Sequence, residues 1–463
     1  MTAGWNRRMR HRHFRLTLSL AVVSVGALAL AGCVAPAVDE GDGSSDAASV
    51  STSTASFWDS STVHSITVDV DDDALTELLE TYESTGDKEW IEVTVTIDGE
   101  VYEGAGLKLK GNSSLRSVTS DDDPSTIPWV IRLDKFVDWQ EHEGITEFVV
   151  RGNSSETSLN EAVALDLLDL TGLAAEQAAA TRFTIGDATS LRLVVENPSD
   201  TWNDSTVGAT ALYKAESGGD YSYRGDDPDS YTDVFDQEAG EDDLTPLIDF
   251  LEFINDSDDE TFAAELSDHL DIDAFATYLA FQDLVDNFDD IDGPGNNSYL
   301  AYDADTGLMT VVNWDVNLAF GASPGADEVG GGGAGGGMMP DRDDAAAPDG
   351  ATPPDDAAWG AAGERPTRPD DGGEAGAQMG GGAGPGGGSN ILAERFLAND
   401  DFTVLYESEL DRLSELFYDS GAAEEILQTW SDTLIDGASD LVDADVVTSD
   451  AEDLSASFDR LAG

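Results

Sequence analysis

Cysteine, histidine and positive charge are the scarce residues of this 463-residue chain, and each scarcity removes a class of function. Cys33 is the only cysteine, so an intramolecular disulfide is excluded and a thiolate metal cage has no ligands. Of five histidines, His11 and His13 stand near the start, leaving His64, His142 and His269. None has a Gly-x-Ser-x-Gly elbow to serve, and no His-based zinc motif or Walker phosphate loop occurs, so hydrolase and P-loop readings lose their support. Basic residues number 22 against 95 acidic ones, a net charge of −73. A polyanion of that size is repelled by phosphodiester backbones, which argues against nucleic acid as a partner. The same charge suits a solvated, salt-tolerant surface, and basic proteins or divalent cations stay compatible with it.

What positive charge exists is unevenly spread. Arg7, Arg8, Arg10, Arg12 and Arg15 precede an apolar run from Leu16 to Leu30, the charge-then-hydrophobe order of a secretory signal. The run is too short to span a bilayer comfortably, so cleavage is expected. Leu30-Ala-Gly-Cys33 resembles a bacterial lipobox, which makes residues 1–32 a lipoprotein signal peptide and Cys33 the lipid-modified first residue. The expected location is extracytoplasmic, anchored to the cell membrane by that lipid. Without the five leader arginines the chain has 17 basic against 95 acidic residues, or −78. Residues 33–60 are small, polar and acidic and read as a flexible tether, with folded structure expected from near Val63.

Beyond Val63 the apolar pattern alternates first and turns helical later. Val63 to Val70 predicts a strand, Leu75 to Tyr82 a helix, and Trp90 to Ile97 a second strand that turns at Asp98-Gly99 into a third. Trp129–Asp134 and the stretches 181–186, 190–195 and 209–214 predict further strands, and Ser158–Leu170 a helix closed by Gly172. Helices are expected at 244–255, 259–268 and 272–287, then a strand pair at Ser298–Ala301 and Leu308–Asn313. Strands first and helices later is an α+β order. Residues 322–389 are rich in Gly, Pro, Ala and Asp and too poor in large apolar groups to offset the cost of ordering, so a disordered low-complexity insertion is expected there. Helical spacing resumes at Ile391, and residues 390–463 are expected to pack back as C-terminal helices of one domain that begins at 61–321.

The segment Asp286–Gly321 concentrates carboxylates and amides at strand ends. Asp315 follows the apolar strand LMTVVNW and Asn317 lies two residues on, a donor set suited to a hard cation, although the spacing fits an Asx turn equally well. Asp289, Asp290 and Asp292 precede Gly293-Pro-Gly, and Asn296-Asn297 precede the next strand. An EF-hand fails here: with Gly293 in the turn position, the first and last ligand positions fall on Phe288 and Tyr299. What remains is a carboxylate that orients a hydroxyl plus an amide that shares a metal, against the alternative of an acidic surface loop. Lys108 and Lys110 stand out by scarcity, as nucleotide-phosphate lysines or as solvated strand residues, and only one of them is expected on the outward face unless the strand is bulged. Glu161 is a candidate ion-pair partner for such a lysine, and Lys214 and Glu196 are weaker candidates. A short motif also repeats: Lys110-Gly-Asn-Ser-Ser114 is echoed by Arg151-Gly-Asn-Ser-Ser155, too briefly to indicate a duplicated domain.

Taken in order, Lys110-Gly-Asn-Ser-Ser114, Leu133-Asp-Lys-Phe136, Ala211-Leu-Tyr-Lys214, Asn287-Phe-Asp289, Gly293-Pro-Gly-Asn-Asn-Ser-Tyr299 and Asn313-Trp-Asp-Val-Asn-Leu-Ala-Phe-Gly321 resemble the CotH family, named for spore coat protein H. The resemblance covers roughly Val63 to Gly321 and resumes at Asn390–Phe396. It implies an atypical protein-kinase-like fold that uses ATP and Mg²⁺ to phosphorylate serine or threonine, with spore-coat proteins as bacterial substrates and a surface-ligand role in fungal members. By position, Asp289 matches the family's catalytic-loop Asp, Asn297 its following Asn, and Asp315 the metal-binding Asp, while Lys110 or Lys108 matches the nucleotide lysine. The family often has His-Asn where this chain has Asn296-Asn297, and Asp290 and Asp292 leave the choice of catalytic acid open between Asp289 and its neighbours. The expected partners are an envelope or coat protein as substrate and the membrane through the N-terminal lipid.

Overall fold

The computed structural model describes residues 56–322 and 390–462, apart from Asn112, Ser117, Ser154, Ser217, Gly218, Asp292, Pro294 and Gly295. Cys33, the 1–32 leader, most of the tether, Asp292 and the insertion from 323 to 389 therefore lie outside the described residues.

Period-two alternation builds the first half. β1 (His64–Asp69) buries Ile66 and Val68. α1 (Asp72–Thr85) starts where the Asp71 carboxylate accepts the main-chain N–H groups of Asp73 and Ala74, buries Leu75, Leu78 and Leu79, and stops at Gly86 in the left-handed region. β2 (Ile91–Ile97) and β3 (Glu100–Leu109) form a hairpin whose turn residues Asp98 and Gly99 both have positive φ, 46° and 91°, as a tight type I′ turn requires. β4 (Trp129–Arg132), β5 (Glu147–Val150), α2 (Leu159–Thr171), β6 (Ala178–Ile185) and β7 (Ala188–Glu196) follow. The strands close into a barrel in the order β1-β2-β3-β4-β5-β7-β6, sealed by parallel pairing of β1 with β6 from His64↔Thr181 to Val68↔Ile185. Trp129, Phe148, Phe183 and the inward Val, Ile and Leu side chains fill it.

Alternation places the two lysines of β3 differently from the expectation of a single outward one. Leu107 and Leu109 are buried in the barrel, so Lys108 and Lys110, two residues apart, share the outer face. Packed structure also starts ahead of Val63: Phe57 is buried against Phe148, and the Ser60 carbonyl accepts a hydrogen bond from Thr433 Oγ1 at 2.9 Å.

The second half is a four-stranded sheet with helices on one face. A single turn, α3 (Asp200–Trp202), leads to β8 (Ala211–Ala215), β9 (Phe235–Ala239), α4 (Thr245–Asp256), α5 (Asp259–Glu265), α6 (Ile272–Leu284), β10 (Ser298–Asp303) and β11 (Leu308–Asn313). The sheet order is β11-β10-β8-β9. After the insertion come α7 (Ile391–Leu397), α8 (Asp400–Ser414), α9 (Ala422–Gly437) and α10 (Ala444–Leu461). α6 is apolar on nearly every side because it packs both ways: Phe275 and Tyr278 against the sheet and α7, Phe281 and Leu284 against α2, α9 and α10. That shared helix welds the barrel side to the sheet side. Neither β5 nor β9 follows from patterning, since they are 4 and 5 residues long and β9 reads FDQEA.

Candidate functional site

Strand register brings two chain segments to one place. Leu109 of β3 pairs with Trp129 of β4, which pairs with Val150 of β5, so the next residues, Lys110 and Arg151, leave the barrel at the same end. In the sheet, Ser298 of β10 pairs with Asn313 of β11, so Asn297 and the Trp314-Asp315 dipeptide also leave together. The two ends meet at Trp314. Lys110 Nζ lies 5.5 Å and Arg151 Cζ 5.9 Å from its ring centroid, and Tyr299 packs edge-on at 5.9 Å. The two members of the short repeated motif thus supply the cations flanking one buried indole.

Arg151 does more than flank the ring. Its Nη2 lies 2.8 Å from Glu161 Oε1, its Nε donates to Glu161 Oε2 at 3.1 Å, and Nη2 also donates to Asp315 Oδ1. Burial works against the guanidinium's charge, but the carboxylates of Asp315 and Glu161 outweigh it and raise the Arg151 pKa. Glu161 therefore pairs with an arginine that the sequence reading passed over, not with Lys108 or Lys110; the repeated motif was the available signal. Asp315 sits at φ 62°, and Asp286, Asn296 and Phe320 join it among the eight non-glycine residues of positive φ in the described structure. Half of that backbone strain thus falls within Asp286–Phe320, the distribution expected where a fold fixes functional groups.

A second convergence concerns lysine. The chain has five, Lys88, Lys108, Lys110, Lys135 and Lys214, and all lie in this neighbourhood. Lys88 feels the charges of Lys108 and Lys214, Lys110 those of Lys214 and Lys108, and Lys108 that of Lys135. Lys108 and Lys135 lie 4.7 and 4.9 Å from the Trp90 ring, and Lys88 Nζ donates to the Gly111 carbonyl. Lys110 Nζ donates to Asn197 Oδ1 at 2.9 Å, and Lys214 pairs with Glu216 at 2.5 Å. Burial, reinforced by Lys214, pulls the Lys110 pKa down to about 8. Glu238, the extra residue where the β8–β9 register slips, faces Lys110 and Lys214 from the sheet side, and burial raises its pKa.

The acidic loop is held by amides. Asn287 Nδ2 donates to Gln282 Oε1 at 2.9 Å and Gln282 Nε2 to Asn313 Oδ1 at 2.6 Å, a buried relay from the loop to the end of β11. Asn297 Nδ2 donates to Asp289 O at 2.8 Å and to Asp289 Oδ2 at 3.2 Å. Asp289 is half-buried, whereas Asp290 is buried and its carbonyl accepts from the Gly293 and Asn297 N–H groups. Asn317 is tied to α2 through its main-chain oxygen, which accepts from Asn160 Nδ2 at 2.6 Å. Glu196 is buried at the end of β7 and accepts the Gln177 N–H at 2.9 Å. Beside it lies Glu176, 3 % exposed, neither of whose carboxyl oxygens has a hydrogen-bond partner from another described residue. Burial, aided by Glu196, pushes Glu176 up to about 8.

Asp315 and Asn297 carry oxygen donors of the kind a small hard cation takes together with phosphate oxygens. Arg151 takes Asp315 Oδ1, leaving Oδ2 as that residue's donor, and Asn297 gives its N–H to Asp289, so the atom it would offer a cation is Oδ1. Among the described residues no cluster of three or more His, Cys, Asp or Glu is placed to cage a metal. Mg²⁺ needs no such cage, since it keeps waters and is completed by substrate phosphates. The five-lysine neighbourhood suits those phosphates.

A search of curated proteins returns no match to the chain. The family model described as CotH kinase protein matches residues 107–435, more than half of the chain. The chain therefore belongs to the CotH kinase family and is a kinase-like protein of mixed α and β structure, with a strand-rich N-terminal half and a helical C-terminal part.

Proposed function

We propose that this kinase-like member of the CotH family is an extracytoplasmic protein kinase, lipid-anchored at Cys33, that transfers the γ-phosphoryl group of ATP to serine or threonine of an envelope or coat protein. The observation that carries the reading is the gathering of all five lysines of a −73 chain into one neighbourhood, with Lys110 packed on the ring of Trp314, the residue directly ahead of Asp315. In so acidic a protein, such a concentration of cations favours the binding of an anion of high charge.

In this reading Lys110 and Lys214 hold the polyphosphate, with Lys108 at the edge. Asp315 and Asn297 would hold Mg²⁺, which supplies charge neutralisation on the transferring phosphoryl group. Trp314 walls the site from solvent and orients the two cations on its faces. Asp289, steadied by Asn297, accepts the proton of the acceptor hydroxyl, with Asp292 as the other candidate on the same loop.

The test is incubation of purified protein with Mg²⁺ and radiolabelled ATP, alone and with casein, beside Asp315→Ala. Label should enter one or both proteins, and the variant should lose about a hundred-fold or more of the rate. No label in either protein, together with unchanged nucleotide binding in Asp315→Ala, overturns the reading.

A second reading has its own observation. Val101 of β3 is exposed, as are Phe136, Val137 and Trp139, Trp139 at 93 %, on the loop after β4, which is pinned to β3 by Phe136 N–H to Gly104 O and by Gln140 to Glu103 O. Such a fixed apolar surface favours a protein-binding module, either adhesive or structural. A purely non-catalytic module would show no Mg²⁺-dependent thermal shift with ATP.

A further inference from the structure

We infer that Arg151 is a positioning residue of the phosphoryl-transfer site: among the described residues it ties the helix carboxylate Glu161 to Asp315 and sets the orientation of the Asp315 carboxylate. The inference rests on the phosphoryl-transfer reading above. Protein kinases generally depend on a lysine paired with a helix glutamate. Here the strand that directly precedes the helix is β5, the first residue past it is Arg151, and Glu161 lies in the first turn of α2. Glu161 pairs with Arg151, whereas the Lys110 ammonium donates to Asn197.

The bonding pattern points to geometry more than to stability. Arg151 and Glu161 side chains are 11 % and 5 % exposed and share a hydrogen bond and a second ion-pair contact at 2.8 Å, and the same guanidinium reaches Asp315. Buried ion pairs are poor stabilisers compared with apolar packing, because desolvation offsets most of the attraction. What a guanidinium adds is a planar fork of fixed direction that stays charged at any working pH. It holds three elements in register: the end of β5, α2 and the residue that follows Trp314.

One consequence separates this role from a structural one. Arg151 and a divalent cation both seek the Asp315 carboxylate, so removing the guanidinium should help a bare cation and harm the nucleotide complex, whose Asp315 then lacks a fixed direction. The experiment measures, by calorimetry on the full chain, binding of Mn²⁺ alone and of a non-hydrolysable ATP analogue with Mg²⁺, for wild type, Arg151→Met and Arg151→Lys, with kcat and KM alongside. Arg151→Met should bind Mn²⁺ alone about three- to ten-fold more tightly, and the analogue about ten- to a hundred-fold more weakly, with kcat falling as well. Arg151→Lys, which keeps the charge but not the fork, should bind the analogue about three- to ten-fold more weakly. A folded Arg151→Met that binds both probes as wild type does overturns the inference while leaving the kinase reading intact. Should Arg151→Met fail to fold, unchanged analogue binding and kcat in Arg151→Lys overturn it equally. A wild type that binds no analogue overturns the kinase reading and this inference together.

Discussion

Glu176→Gln should stabilise the protein at neutral pH and destabilise it in mild acid. The Glu176 carboxyl is buried without a hydrogen-bond partner from another described residue, and its pKa rises from 4.5 to about 8. A carboxyl of raised pKa keeps its proton in the folded state where the unfolded chain has lost it. Folding then takes up a proton, and stability falls as pH climbs from about 4.5 towards 8. At about 1.4 kcal/mol per pH unit, holding that proton at pH 7.5 costs about 4 kcal/mol. Glutamine removes the titration but buries an amide, which costs about 1–3 kcal/mol if it is left unpaired. The net gain at pH 7.5 is therefore about 1–3 kcal/mol, and at about pH 4.5, where the titration costs only about 0.4 kcal/mol, the variant is the less stable protein by about 0.5–2.5 kcal/mol. Urea denaturation of both proteins at the two pH values, in matched salt, reads the difference directly. Parallel stability-versus-pH curves for wild type and variant would refute the reasoning, because they would mean that Glu176 is ionised in the fold or solvated there.

Lys110 sets a trend in the same direction for the ligand. Burial and Lys214 hold its pKa near 8, so its charge fades as pH rises through that value, and the KM for ATP should climb between about pH 7 and 9, a rise that Lys110→Met abolishes. For the proposed anchor, Cys33→Ala should move the protein from the membrane fraction to the soluble fraction after export, read by fractionation and immunoblot; unchanged membrane retention would remove the lipid from the proposal.

Local periodicity carried most of the elements and little of their assembly. The β2–β3 hairpin was legible because Asp98-Gly99 lies between alternating runs, and β10 and β11 because both are apolar and joined through Asp303–Gly307. Closure of the barrel was not legible. The pairing of β1 with β6 joins residues more than a hundred positions apart, and no local pattern encodes that register. The lysines show the same divide: their scarcity is a property of composition, whereas their convergence exists only once β3, β8 and the loops after α1 and β4 are brought together. Arg151 was missed because a motif of five residues is weak by itself. Its meaning comes from register, which sets Lys110 and Arg151 at one barrel end against Trp314. β9 stayed hidden because FDQEA has no apolar alternation, and with it went Glu238.

The contact of α9 with the first packed residues also bears on how the protein is made. Thr433 donates to the Ser60 carbonyl, and a Cβ at Gly437 would lie 2.5 Å from Val63, so a late segment of the chain braces the entry to its earliest strand. A ribosome or a translocon delivers these segments far apart in time. β1 must wait for β6 to close the barrel, and the entry to β1 must wait for α9. The edge of β1 is therefore unpaired until β6 is made, and its entry stays uncovered until α9 is, the condition in which unpaired edges invite aggregation. The dense like charge of this chain then serves a purpose before any folding is complete: it keeps half-made molecules from one another.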